Sequence, residues 1–303
     1  MAIQFKNPYF PLGDPFLFYH EGTYYLYGTT ESNEPLESLN AFDTVKEEKD
    51  GLYVYTSTDL IHWKNEGLCL KKGDVIGEKW FWAPEITYYN GKFYIVYAAE
   101  EHIAIAVSDS PLGPFVQKEK KWLRETPAID GHILIDDDGK KYLYYVGFNN
   151  GNRIYVATLS DDLLTITEEF GELIQAQETW ETKDCFVAEG PFVLKRNGTY
   201  YLTYSCNHTR SKDYAVGYAT AISPTGPFVK YEGNPILHRD ENFCGVGHHS
   251  FLKNPNGDGF LCSFHCHNQT NDNFKPRHFC LTTARFETKN GKDILIVDKP
   301  NKA

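Results

Sequence analysis

The chain has 303 residues, a formal net charge of −11, a hydrophobic fraction of 41% and an aromatic fraction of 15%. That length suits one large domain or two ordinary ones with a substantial core. Its lysines and arginines are scattered, which excludes a nucleic-acid-binding patch, and no stretch reaches the roughly 20 apolar residues of a membrane-spanning helix.

The first residues, Met1 to Pro8, lack the apolar centre of a secretory signal, so a cytoplasmic location is expected. Seven cysteines without a Cys-x-x-Cys pair read as free, buried thiols in a reducing compartment. Tyr, Val, Ile, Phe and Thr alternate with small or polar residues, and turns are built from Gly, Asn, Asp and Pro. That is strand chemistry, with no convincing amphipathic helix.

The strands fall into five similar units. The first carries Gly13-Asp14-Pro15-Phe16, a turn at Glu21-Gly22 and a strand from Gly51 to Ser57, with a long polar loop or insertion over 31–50. The second carries Trp80-Phe81-Trp82-Ala83-Pro84-Glu85, a turn at Asn90-Gly91 and a strand from His102 to Ser108. The third carries Ile129-Asp130-Gly131, a turn at Asp138-Gly139 and a strand from Asn152 to Thr158. The fourth carries Ala188-Glu189-Gly190-Pro191-Phe192, a turn at Asn197-Gly198 and a strand from Tyr214 to Thr220. The fifth carries Gly247-His248, a turn at Asn256-Gly257 and a strand from Arg277 to Thr283.

Counting back eight from Gly22 gives Asp14, and counting back nine from the other four turn glycines gives Trp82, Asp130, Glu189 and His248. Five repeats of this size suit propeller blades. A β-sandwich or jelly roll has no reason to repeat five times with a loaded residue at a fixed offset. The expectation is an all-β chain forming a single five-bladed β-propeller over 1–303, with these five residues at equivalent places around the channel mouth.

A carboxylate at a loop-to-strand junction is ordinarily solvated or caps a turn. Three at one offset in a repeat are harder to dismiss. Paired carboxylates facing a neutral polar substrate suit glycoside hydrolysis, one protonated to donate to the leaving oxygen and one ionised. A third carboxylate beside the acid raises its pKa by repulsion. Trp80, Phe81 and Trp82 are contiguous and could simply be core, but Trp82 sits at the repeat position and is the better candidate for a wall against a sugar ring.

Over nearly its whole length the chain resembles glycoside hydrolase family 43, through Asn7-Pro8, Asp14-Pro15, Trp82-Ala83-Pro84-Glu85, Ile129-Asp130 with Asp136-Asp137-Asp138-Gly139, Glu189-Gly190-Pro191 and Gly247-His248. The resemblance implies a five-bladed propeller that hydrolyses arabinose- or xylose-containing glycans with inversion. It implies Asp14 as general base, Glu189 as general acid and Asp130 as the residue that tunes and orients the acid. It makes Arg277 a candidate sugar-pocket residue, against the plain reading of a surface strand charge. Phe192 and His267 are further candidate sugar contacts; His265 and His267 alternate on the last hairpin, so at least one should face the pocket.

A histidine at the position of His248 often faces a hydrated calcium in such relatives, although imidazole is an unusual partner for a hard cation. No cofactor is expected for the chemistry itself. The partner is an arabinose- or xylose-containing oligosaccharide, with β-xylosidase favoured over α-L-arabinofuranosidase and no accessory β-sandwich domain. Retaining propellers of the invertase type differ: Asp14 lacks flanking asparagines, Asp240 is followed by Glu241, and Glu189 is followed by glycine. A non-catalytic glycan-binding propeller would gain little from three crowded acids. Loops 31–50, 65–80 and 207–213 are expected to set the substrate.

Overall fold

A computed structural model describes residues 5–30, 50–267 and 274–302. Apart from Asp50, the 31–50 segment lies outside the described residues. Among the described residues there is no helix, so none crosses a membrane as one.

Among the described residues, nineteen strands form five antiparallel sheets in simple chain order. Blade 1 holds β1 (Gly13–His20), β2 (Thr23–Thr29), β3 (Gly51–Ser57) and β4 (Lys64–Lys71). Blade 2 holds β5 (Trp82–Tyr89), β6 (Lys92–Ala99) and β7 (His102–Ser108). Blade 3 holds β8 (Ala128–Ile135), β9 (Lys141–Phe148), β10 (Asn152–Leu159) and β11 (Ile166–Gln175). Blade 4 holds β12 (Ala188–Arg196), β13 (Thr199–Cys206), β14 (Ala215–Ala221) and β15 (Val229–Lys230). Blade 5 holds β16 (Gly247–Lys253), β17 (Phe260–Cys266), β18 (His278–Lys289) and β19 (Lys292–Val297).

The core lies between blades, so middle strands are buried on both faces. In β6, Phe93, Ile95, Tyr97 and Ala99 pack against blade 1 side chains such as Tyr27 and Leu70. The alternate residues Tyr94, Val96 and Ala98 pack against Leu143 and Tyr145 of blade 3. The period-2 alternation of a strand thereby fills two interfaces at once. Blades 3 and 4, 4 and 5, and 5 and 1 meet the same way, which closes the five-bladed propeller. Beside that closure, the Asn7 side chain donates to Leu281 O at 2.6 Å and accepts from Leu281 N at 2.7 Å.

Every first strand carries a bulge at its start. Gly13 pairs with Thr29 and Phe16 with Tyr27, so one extra residue sits in β1. The same skip occurs at Trp82/Glu85, Ile129/His132, Glu189/Phe192 and Gly247/Ser250. The residue after the first of each pair has positive φ: Asp14 (48°), Ala83 (43°), Asp130 (54°), Gly190 (55°) and His248 (47°). Four of the five are not glycine, a conformation that costs each roughly 1–2 kcal/mol.

This corrects the counting argument. Asp14, Asp130 and His248 are equivalent, but Trp82 and Glu189 lie one residue earlier. The cause is turn length. Residues His20↔Thr23, Tyr89↔Lys92 and Arg196↔Thr199 close two-residue hairpins, whose central residues all have positive φ as a type I′ turn requires. The hairpins closed by Ile135↔Lys141 and Lys253↔Phe260 have longer turns, so a fixed count to the glycine slips by one. In the first of these, Asp136 is buried and bonded to Lys195 and Tyr200, a structural role at the other end of the blade.

Candidate active site

The bulges bring Asp14, Asp130 and Glu189 to one end of the channel, all less than a tenth exposed. Each carboxylate has a different environment.

Asp14 is anchored as an anion. Oδ1 accepts from Arg277 Nη1 at 2.6 Å and lies 3.3 Å from His248 Nδ1. Oδ2 accepts from Thr29 Oγ1 at 2.6 Å, and Thr29 Oγ1 in turn accepts from Ala83 N at 2.9 Å. Burial alone would push this carboxyl up; the Arg277 guanidinium, with His248 and His265 beside it, holds it well below the usual range. Arg277 is the permanent charge in that set, since burial lowers the pKa of both histidines, His265 to about 3. The guanidinium lies directly on Gly13, where a Cβ would come within 2.2 Å of it. His265 Nδ1 accepts the Asp14 backbone N–H at 3.2 Å, and its ring stacks on Tyr214 at 5.5 Å.

Glu189 has the opposite setting. Oε1 accepts from Tyr214 OH at 2.9 Å and Oε2 from Asn152 Nδ2 at 2.9 Å. Burial raises its pKa to about 7, opposed by the Tyr214 and Asn152 bonds and by Arg277, and reinforced by Asp14. Asp130 is pushed well above the carboxylate range by burial, then by Glu189 and Asp14; its Oδ2 accepts the Gly190 backbone N–H at 3.1 Å. One carboxyl fixed as an anion beside two that favour protonation at neutral pH is the division that acid–base chemistry on one substrate requires.

Below this tier lie the residues on the far side of each bulge. His132 Nε2 accepts from Val193 N at 3.1 Å, so Nδ1 carries the proton and donates to Glu85 Oε2 at 2.7 Å. Phe192, expected against the sugar, belongs to this lower tier. It packs 4.3 Å from the His132 ring and 5.7 Å from Phe251, because the bulge at Glu189 turns it down the channel into the blade 4–5 core.

Trp82 is half-buried at the mouth and stacks on Trp80 at 5.8 Å with 10° between planes. Arg277 is in the site, not on the surface. His265, rather than His267, faces the carboxylates. His267 donates from Nε2 to Thr209 O at 2.7 Å and packs on Gly245, holding the 207–213 loop whose Thr209 hydroxyl lies 3.5 Å from Arg277 Nη1.

The residues do not fit a directly ligated calcium. Among those described, no three His, Cys, Asp or Glu side chains converge on a shared position. His248 Nδ1 is turned to Asp14, whereas Ca²⁺ wants about six to eight oxygen ligands.

Sequence reading missed Asn152, Tyr214 and Thr29. The signal for two of them was present. Asn152, Tyr214 and Arg277 each begin the recurring third strand of a blade. In an antiparallel blade the third strand starts at the same end as the first, so these side chains return to the mouth.

A five-bladed propeller with such a carboxylate set defines a glycoside hydrolase. The profile of glycosyl hydrolases family 43 matches residues 5–291, and the chain belongs to that family. It is similar to an endo-1,4-β-xylanase structure from Bacteroides thetaiotaomicron VPI-5482 (37% identity, TM-score 0.85, covering 96% of this chain and 95% of that one). It is also similar to the β-D-galactofuranosidase xynD of Aspergillus niger (26% identity, covering 86% of this chain and 75% of that one). The xylosidase/arabinosidase 43A of Humicola insolens is 32% identical over 57% of this chain and 64% of its own length.

Proposed function

We propose that this protein is an inverting exo-glycosidase that releases xylose from xylo-oligosaccharides, with Asp14 as general base and Glu189 as general acid. Asp14 takes a proton from a water that attacks the anomeric carbon from one face. Glu189 gives its proton to the glycosidic oxygen leaving from the other. The cycle leaves Asp14 protonated and Glu189 ionised, and exchange with solvent resets both. Asp130 acts on Glu189 by position: its Oδ2 accepts the Gly190 backbone N–H and so holds the chain beside the acid. Trp82 supplies an apolar wall, and Arg277 keeps the base ionised at the edge of the sugar pocket.

The observation that carries this reading is the divergent setting of Asp14 and Glu189, one ion-paired to Arg277 and the other buried between two neutral donors. Support for a xylose-containing substrate comes from the likeness to the Bacteroides endo-1,4-β-xylanase and the Humicola xylosidase/arabinosidase. A second reading, α-L-arabinofuranosidase or an enzyme with both activities, is favoured by relatives described as xylosidase/arabinosidase. Nitrophenol release from aryl β-D-xylopyranoside and aryl α-L-arabinofuranoside, measured side by side, separates them. Preference for the xyloside is expected, comparable rates mean a bifunctional enzyme, and silence on both removes the proposal. Xylohexaose digestion then reads the mode of action: xylose as the first product supports exo-action, and internal fragments overturn it.

A further inference from the structure

The segment before β12 carries an unexplained feature. Phe186 is 63% exposed, the most exposed of the phenylalanine, tyrosine and tryptophan residues described. It is three residues before Glu189 and at the same end of the propeller, because β12 starts there. Its backbone is tied to the candidate acid through one residue. Asn152 donates from its backbone N–H to Phe186 O at 3.0 Å and from its side chain to Glu189 Oε2 at 2.9 Å.

A second exposed ring lies on the same rim. Phe148 is 45% exposed, ends β9 and is the register partner of Asn152. The turn between them contains Gly151, with φ +111°, where a Cβ would lie 1.9 Å from Phe186 O. Glycine at that position lets the 184–187 segment lie directly on the β9–β10 turn and lifts the Phe186 side chain to the rim. A single exposed apolar ring needs no explanation, but two at the rim, both tied to the Asn152 that bonds a buried carboxyl, point to a ligand surface.

Reaction geometry decides the occupant. In a single displacement, base and acid work on opposite faces of the anomeric carbon. Asp14 is on blade 1 and Glu189 on blade 4, so the departing group lies on the blade 3–4 side, with the acid. We propose that Phe186, flanked by Phe148, is the platform on which the leaving-group sugar stacks, and so sets preference for oligosaccharides over substrates without a second ring. The apolar C–H face of a pyranose packs on an aromatic face, while its hydroxyls stay in water. The inference rests on the xylosidase reading above and adds the residues that select the leaving group.

The test compares two substrates that share the released sugar. Xylobiose departs as a second xylose, whereas β-D-xylopyranosyl fluoride departs as fluoride and has no ring to stack. For Phe186→Ala, the ratio of kcat/KM on xylobiose to kcat/KM on the fluoride falls roughly tenfold, an effect of the size expected for one aromatic contact. Phe186→Tyr keeps the ratio near wild type. Phe170→Ala, an exposed ring on the outer strand β11, serves as the control and leaves it unchanged. A Phe186→Ala ratio equal to wild type overturns the platform. So does light scattering showing a wild-type dimer that the variant converts to monomer with the ratio intact, since the patch is then a contact between copies. Wild-type silence on both substrates removes the functional reading and the platform together, whereas activity on both with an unmoved ratio removes the platform alone.

Discussion

Replacing Tyr214 with phenylalanine should move the alkaline limb of the pH–rate profile upward. The hydroxyl donates to Glu189 Oε1 at 2.9 Å, and burial keeps it protonated far above the usual tyrosine range. The bond favours the ionised carboxylate and so opposes the rise that burial imposes on Glu189. A hydrogen bond to a charged group contributes about 1.5–3 kcal/mol. The protonated acid retains part of that bond, so the lower end applies, or roughly one pKa unit. The candidate acid then titrates at roughly 8 instead of about 7. Because the acid must be protonated, activity is present below that pKa and lost as pH rises through it. The ring itself stays: it stacks on His265 and packs against Gly247, contacts that phenylalanine keeps. The assay is kcat/KM against pH on an aryl β-xyloside, with thermal unfolding as a check on the fold. A limb that stays in place or moves down refutes the argument that this bond sets the acid.

Arg277→Ala should act on the other limb. Without the guanidinium the burial of Asp14 is unopposed, its pKa rises, and activity is lost at a higher pH on the acid side; an unmoved acid limb contradicts the anchor. Glu189→Gln should lose most activity on alkyl and sugar leaving groups and retain more on activated aryl glycosides or the fluoride. Equal losses across leaving groups argue against proton donation. Leu143→Ala, fully buried between blades 2 and 3, should cost about 2–5 kcal/mol in urea unfolding with an unchanged m-value. Dialysis against a chelator should leave the rate unchanged, whereas loss restored by calcium would place a hydrated ion beside His248.

The repeat carried most of the architecture. Asn-Gly and Glu-Gly hairpins, alternating apolar strands and loaded residues at matched offsets are local signals that survive in one sequence. What failed was the assumption of constant turn length. Two long hairpins made Glu189 and Trp82 look equivalent to Asp14, and the bulges that aim these residues leave no mark in composition. The same bulge explains Phe192: it follows Glu189 by three, yet faces the blade core. Arg277 was read from resemblance, while Asn152 and Tyr214 hold the same place in their blades and were passed over as strand residues. Thr29 carried no signal, since its role depends on Asp14 of its own blade and Ala83 of the adjacent blade meeting at its hydroxyl. The expectations for loop 31–50 fall almost wholly outside the described residues.

The central claim is a single displacement with Asp14 activating water and Glu189 protonating the leaving oxygen. Proton NMR of the first sugar formed from an aryl β-D-xyloside, recorded before mutarotation, tests it most directly. The account predicts α-xylose first, with the β-anomer growing in later. β-Xylose as the first product would mean a covalent intermediate on one carboxylate, and would contradict the roles assigned to both.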